Sequence, residues 1–166
     1  MAIQVKIEVF DNFIKEKNIF NDIKNLLMAN DFPYYYYEST AYEKDKSDFF
    51  FSHIMYDKDK QESKYFNTTT MPILGRLKFN YLERVKVNCY TKKHKQVITG
   101  MHTDMPQKHM VALFSINNNN GYTLFENGDK ILSKENQLIL FNGDLKHCSV
   151  AQTDENVRIN ININLS

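Results

Sequence analysis

His102-Thr103-Asp104 is the first stretch whose residue types could do chemistry. Residues two apart in a strand point to the same face, so at a strand end this imidazole and this carboxylate can chelate one divalent ion. A turn in which Asp104 caps backbone N–H groups fits the same three residues. His147 narrows the choice. It follows the turn Asn142-Gly143-Asp144 and opens a strand two or three strands further along. In a rolled-up sheet it can face His102 and Asp104 across the barrel. Two imidazoles and one carboxylate then occupy one face of an octahedron and leave three positions open, a donor set suited to non-haem Fe(II). Zinc would be expected to bring more nitrogen or sulfur ligands. Cys148 adjoins His147 on the opposite strand face and reads as core packing.

Arg158 lies eleven residues beyond His147, on the run Arg-Ile-Asn-Ile-Asn-Ile-Asn. A period of two puts Arg158, Asn160, Asn162 and Asn164 on one face, and Ile159, Ile161, Ile163 and Leu165 on the other. The planar fork of arginine suits a carboxylate better than lysine does. An exposed strand residue is the alternative. Asn88 and Tyr90 share a face of residues 84–90 with Arg84 and Lys86. That polar face is either a solvated outer surface or the lining of a barrel, and the pattern alone does not choose.

The elements that must position these residues follow from periodicity. Residues 3–10 alternate and predict an opening strand, and Asp11 predicts the N-cap of an amphipathic helix over about 12–29. Pro33 stops its continuation. Two aromatic-rich strands are expected at Pro33–Tyr37 and 49–56, separated and followed by the charge-dense stretches 42–48 and 57–64, which predict surface loops or a lid. Residues 70–82 predict a short helix with Pro72 in its first turn. From Arg84 onward, seven or eight short strands are punctuated by Asn-, Gly- and Asp-rich turns. This predicts a mainly β fold with flanking helices, an antiparallel jelly-roll or cupin-like barrel. His53, His94 and His109 read as structural or solvated, and Phe49 to Phe51 as core. Tyr34 to Tyr37 could line a substrate channel.

The chain has 166 residues, which fits a single domain spanning 1–166, with an N-terminal part over 1–83 and a β core over 84–165. Its 21 basic and 20 acidic residues balance to a net charge of +1, which excludes the broad basic face of a nucleic-acid-binding domain. Only Arg76, Arg84 and Arg158 are arginines, so each carries more information than usual. Two cysteines, Cys89 and Cys148, do not suggest a disulfide framework. No apolar run approaches a membrane span, and the opening residues lack the pattern of a secretory signal. A cytoplasmic protein is expected.

Asn88-x-Tyr90, His102-x-Asp104, His147 and Arg158-x-Asn160, in that order, resemble the 2-oxoglutarate- and Fe(II)-dependent dioxygenases over residues 84–165. The opening Val-Phe-Asp-Asn-Phe, the helix after it and Phe-Pro-Tyr-Tyr-Tyr-Tyr also resemble small phage and marine bacterial members, which would place the protein in a host cytoplasm. The resemblance implies a double-stranded β-helix in which His102, Asp104 and His147 bind Fe(II), with O2 as oxidant. It implies that Arg158 pairs with the distal carboxylate of 2-oxoglutarate, and that Asn88, Tyr90 and Asn160 match cosubstrate residues of AlkB-type members. A second arginine of the AlkB strand is replaced here by Asn162 and Asn164. The spacing from His147 to Arg158 is closer to the prolyl-hydroxylase-like branch, which implies hydroxylation of a protein or peptide side chain with release of succinate and CO2. A nucleobase-oxidising enzyme and a non-catalytic jelly-roll binding module are the alternatives.

Overall fold

The β-branched and aromatic runs of this sequence form two antiparallel sheets that face each other, with the helices laid on the outside of the larger one. The computed structural model describes residues 7–39 and 48–166. In chain order the elements are β1 (Glu8–Phe10), α1 (Lys17–Leu27), β2 (Tyr35–Tyr37), β3 (Phe50–Asp57), β4 (Lys60–Gln61), α2 (Phe66–Thr69), α3 (Met71–Leu74), β5 (Leu82–Thr91), β6 (Met110–Ser115), β7 (Tyr122–Phe125), β8 (Lys130–Leu132), β9 (Gln137–Asn142), β10 (His147–Val150) and β11 (Val157–Leu165). The large sheet runs β1-β9-β6-β11-β5-β3-β2, with β4 paired to β3, and the small sheet runs β10-β7-β8. Isolated bridges Ile98↔Val150 and His102↔His147 add residues 98–102 beside β10. This is the jelly-roll architecture expected from the strand spacing.

Alternation decides what each face of the large sheet does. On β11 the side chains of Ile159, Ile161, Ile163 and Leu165 join Val85, Val87 and Cys89 of β5 in one core with Phe20, Ile23 and Leu27 of α1. The opposite face points between the sheets. There β6 and β9 contribute Val111, Leu113, Ile139 and Phe141, which pack with Phe125 of β7 and Leu145 into a second core. The neighbouring strands β11 and β5 contribute polar residues to that same interior. Arg158 is paired with Tyr90, Asn160 with Asn88, Asn162 with Lys86 and Asn164 with Arg84. Half of the barrel interior is therefore apolar and dry, and the other half is a polar lining.

Three expectations need correction. The helix starts at Lys17 rather than near Asp11. Phe13 N donates to Asn136 O and Ile14 N to Asn136 Oδ1, both at 2.9 Å, so their amides are tied to the loop before β9. Asp11 accepts from Lys134 and Gln137 instead of capping the helix. Helical structure in the 70–82 region ends at Leu74, and the amides of Asn80 and Tyr81 donate to Ser166 O. Residues 57–64 form a surface hairpin rather than an irregular loop. Lys58 and Asp59 take φ of 49° and 62°, the left-handed pair that closes a tight hairpin between β3 and β4. The other charged stretch, together with residues 3–6 of the opening strand, lies outside the described residues apart from Asp48. No helix among the described residues is long and apolar enough to cross a membrane.

Candidate active site

Strand pairing brings the triad together. His102 and His147 sit directly opposite each other in the bridge beside β10, as neighbours rather than across the barrel as expected. Asp104 follows where the chain leaves that bridge. Its Oδ1 lies 3.7 Å from His102 Nε2 and 3.6 Å from His147 Nε2. The three potential ligand atoms all lie within 4.8 Å of one another.

Each imidazole is held by its other nitrogen. His102 Nδ1 donates to Gly100 O at 2.9 Å, and His147 Nδ1 donates to Leu145 O at 3.2 Å. A carbonyl can only accept, so Nδ1 carries a proton in each ring and each Nε2 faces the shared space. The His147 ring is further confined by Phe141, with centroids 4.9 Å apart in a T-shaped contact.

The carboxylate is oriented in the same way. Asp104 Oδ2 accepts from Asn162 Nδ2 at 2.9 Å and from Asn164 Nδ2 at 3.0 Å, leaving Oδ1 for the histidines. Arg84 Nη2 donates to the Asp104 carbonyl at 3.3 Å, and Arg84 Nε donates to Asn164 Oδ1 at 3.2 Å. Burial alone would raise the Asp104 carboxyl. The hydrogen bond and charge of His147 and the two asparagine amides outweigh it and hold the group far below the usual carboxylate range. Two imidazoles and one ionised carboxylate converging with their outer atoms satisfied is a donor set that fits a divalent transition metal with open positions.

Arg158 occupies the other end of the same cavity, which is also lined by Phe50, Asn88, Tyr90 and Asn160. It is 3% exposed. Its Nε donates to Ser133 Oγ at 2.7 Å, Nη1 to Ser149 Oγ at 2.6 Å and to Val150 O at 3.2 Å, and Nη2 to Thr123 Oγ1 at 3.4 Å. The guanidinium lies 5.5 Å from the centre of the Tyr90 ring, which stacks on Phe50. All of these partners are neutral. Among the described residues no carboxylate lies within ion-pair distance, and burial lowers the guanidinium pKa from its ordinary value. A buried cation without a counter-ion is costly, and the cost is recovered when an anion enters beside it. Ser149 and His147 share a face of β10 two residues apart, so about 7 Å of strand separates the arginine's partner from the triad.

Asn88 and Asn160 also line the cavity, as the reading of β5 as a barrel lining requires. Asn88 Nδ2 donates to Asn160 Oδ1 at 3.2 Å, and Asn88 Oδ1 accepts from Ser52 Oγ at 3.0 Å. Several residues of the site carry no signal in the sequence. Asn162 and Asn164 stand on the correct face of β11, yet nothing in their spacing points to Asp104. Asn117, from the run of four asparagines, accepts from Ile159 N at 3.0 Å and donates to Val157 O at 2.8 Å, bracketing Arg158. Phe50 reads as core from its neighbours but borders the cavity. His53 is structural, tied to Pro33 O and Ser63 Oγ. Tyr34 donates to Leu27 O rather than facing a channel.

No family model matches the sequence, and no curated protein does. Solved structures do. A 2OG-Fe(II) oxygenase family oxidoreductase from Burkholderia pseudomallei superposes with a TM-score of 0.64 at 10% identity, covering 96% of this chain and 84% of that one. A prolyl hydroxylase from Trichoplax adhaerens, solved with a hypoxia inducible factor oxygen degradation domain peptide fragment, gives 0.61 at 14% identity over 96% of this chain and 82% of its own. A Pseudomonas putida prolyl-4-hydroxylase gives 0.61 at 9% identity, covering 98% and 92%. The chain has the fold of the 2OG-Fe(II) oxygenases, a double-stranded β-helix.

Proposed function

We propose that this protein is an Fe(II)- and 2-oxoglutarate-dependent dioxygenase that hydroxylates a protein or peptide side chain. The observation that carries the reading is one cavity with a His-Asp-His triad at one end and a buried arginine without a counter-ion at the other. His102, Asp104 and His147 hold the metal. Fe(II) bound there would supply the redox chemistry by which substrate C–H, 2-oxoglutarate and O2 would become substrate C–OH, succinate and CO2.

The chain's own residues bind, orient and exclude. Arg158 takes the distal carboxylate of the cosubstrate, and its hydroxyl partners keep the fork aimed. Tyr90 flanks Arg158, and Asn88 and Asn160 line the path toward the triad. The Nδ1 hydrogen bonds of both histidines fix which nitrogen faces the metal, and Asn162 and Asn164 fix which carboxylate oxygen does. Leu113, Phe125 and Phe141 pack along the apolar side of the site and exclude water there. The prolyl hydroxylase solved with a peptide supports a peptide substrate.

An anaerobic titration of the apoprotein with Fe(II), then 2-oxoglutarate, tests this. A weak visible charge-transfer band that needs both ligands is the expected result. Arg158→Met should require at least tenfold more 2-oxoglutarate for the same band, the loss of about one charge-assisted pair. No band and no retained iron would leave a non-catalytic jelly-roll module.

A further inference from the structure

The polar face of β5 continues past the part of the cavity that the metal and cosubstrate account for. Arg158 is paired with Tyr90 at one end, and Asn162 and Asn164, which hold Asp104, are paired with Lys86 and Arg84 at the other. Asp104 therefore stands level with Lys86 and Arg84, at least four residues or about 13 Å along the strand from Arg158. Arg158, Asn160 and Asn88 are buried, whereas Arg84 and Lys86 are only half-buried. The triad's end of the lining is thus partly open to solvent among the described residues.

Lys86 has no structural task in sight. It makes no hydrogen bond or ion pair among the described residues. The nearby carboxylates are Asp104, committed to two asparagines and the histidines, and Asp57 of β3, and neither lies within ion-pair distance. Burial and the neighbouring Arg84 charge both work against its ammonium. Holding such a lysine in a cavity costs stability unless a ligand compensates it. Arg84 also has guanidinium protons to spare after its bonds to Asn164 and the Asp104 carbonyl.

The balance of charge points the same way. The cavity lining carries three cations, Arg84, Lys86 and Arg158, against the single carboxylate of Asp104. A divalent metal and a dianionic cosubstrate cancel each other and leave that surplus in place. We propose that the substrate presents an oxyanion, a carboxylate or a phosphate, beside the reacting carbon, and that Lys86, assisted by Arg84, receives it. This inference rests on the dioxygenase reading and names the substrate class of the same site.

The test uses the full-length protein loaded with Mn(II) and 2-oxoglutarate without oxygen. Inorganic phosphate and acetate are the probes, and their nuclear relaxation by the bound Mn(II) is the readout. Saturable enhancement is expected with at least one of the two ions, and the stronger of them identifies the substrate's acid group. Lys86→Met should weaken that binding at least tenfold, and Lys86→Arg should restore most of it. Both variants should keep 2-oxoglutarate affinity within twofold of the parent. Binding of neither ion, or equal binding to Lys86→Met, overturns the proposal. Weakened 2-oxoglutarate binding in Lys86→Met would assign Lys86 to the cosubstrate and also overturns it. Failure of the protein to retain Mn(II) at all would refute the dioxygenase reading itself, an outcome seen before any probe is added.

Discussion

His102 and His147 exchange both backbone hydrogen bonds, His102 N to His147 O at 3.0 Å and His147 N to His102 O at 2.9 Å, with their rings 5.1 Å apart. The sheet itself sets the spacing of the two imidazoles. Removing one ring leaves the other in place. His147→Ala should therefore lower Fe(II) or Mn(II) affinity by at least about a hundredfold, more than the loss of an outer hydrogen bond would. The apoprotein should lose about 1–2 kcal/mol, since the ring borders the polar cavity on one side and packs on Phe141 on the other. Metal titration and thermal unfolding check the two halves, and tight metal binding by the variant would remove His147 from the ligand set.

Asn162 and Asn164 divide the work of holding Asp104 Oδ2. Each alanine variant should cost about 10- to 100-fold in metal affinity, the usual effect of losing a partner of a ligand. Because both act on one oxygen, the double variant should lose less than the product of the singles. Strict multiplicativity would show that the two amides do not act through the carboxylate.

Gly121 is the residue that lets the chain pass close to Arg158. A Cβ there would stand 2.8 Å from Asn119 Oδ1, 3.0 Å from Val150 O and 3.1 Å from Arg158 Cδ. Gly121→Ala should shift the arginine and weaken 2-oxoglutarate binding about tenfold or more, with little change in metal affinity, because crowding of this kind displaces side chains and backbone. Gly75→Ala, whose Cβ would meet only Met71 O at 3.4 Å, is the control and should bind normally. A cosubstrate affinity unchanged in Gly121→Ala would count against a rigid arginine pocket.

Alkaline pH reports on Tyr90. Burial raises its phenol to about 12 against the lowering pull of the Arg158 charge, whereas the ordinary value is 10.0. The folded protein thus holds the proton more tightly than the unfolded chain does. The stability tied to that phenol is whole below pH 10 and is lost as pH rises to about 12. Unfolding free energy in urea should fall more steeply over this window in the parent than in Tyr90→Phe. The Cys89 thiol, raised by burial to about 11, is common to both proteins and cancels in the comparison. Equal slopes would mean that Tyr90 is not buried against Arg158 as described.

Residue type and order single out His102, Asp104, His147 and Arg158 as candidates, because few side chains can ligate a metal or clamp a carboxylate and this chain has few histidines and arginines. Periodicity was equally direct about which residues share a face on β5 and β11. It could not say which face is inside. A strand that alternates polar and apolar usually turns its polar side to water, and here the closure of β10, β7 and β8 over the large sheet encloses the polar side while α1 covers the isoleucines. The start of α1 is not legible in the periodicity for a related reason, since Asn136 captures the amides of Phe13 and Ile14 from more than a hundred residues away. The supports of the site were invisible in the same way. Ser133, Ser149, Thr123, Asn117, Asn162 and Asn164 are common polar residues with no diagnostic spacing. Only strand register, a matter of long-range pairing, brings their hydroxyl and amide groups within hydrogen-bond distance of Arg158 and Asp104.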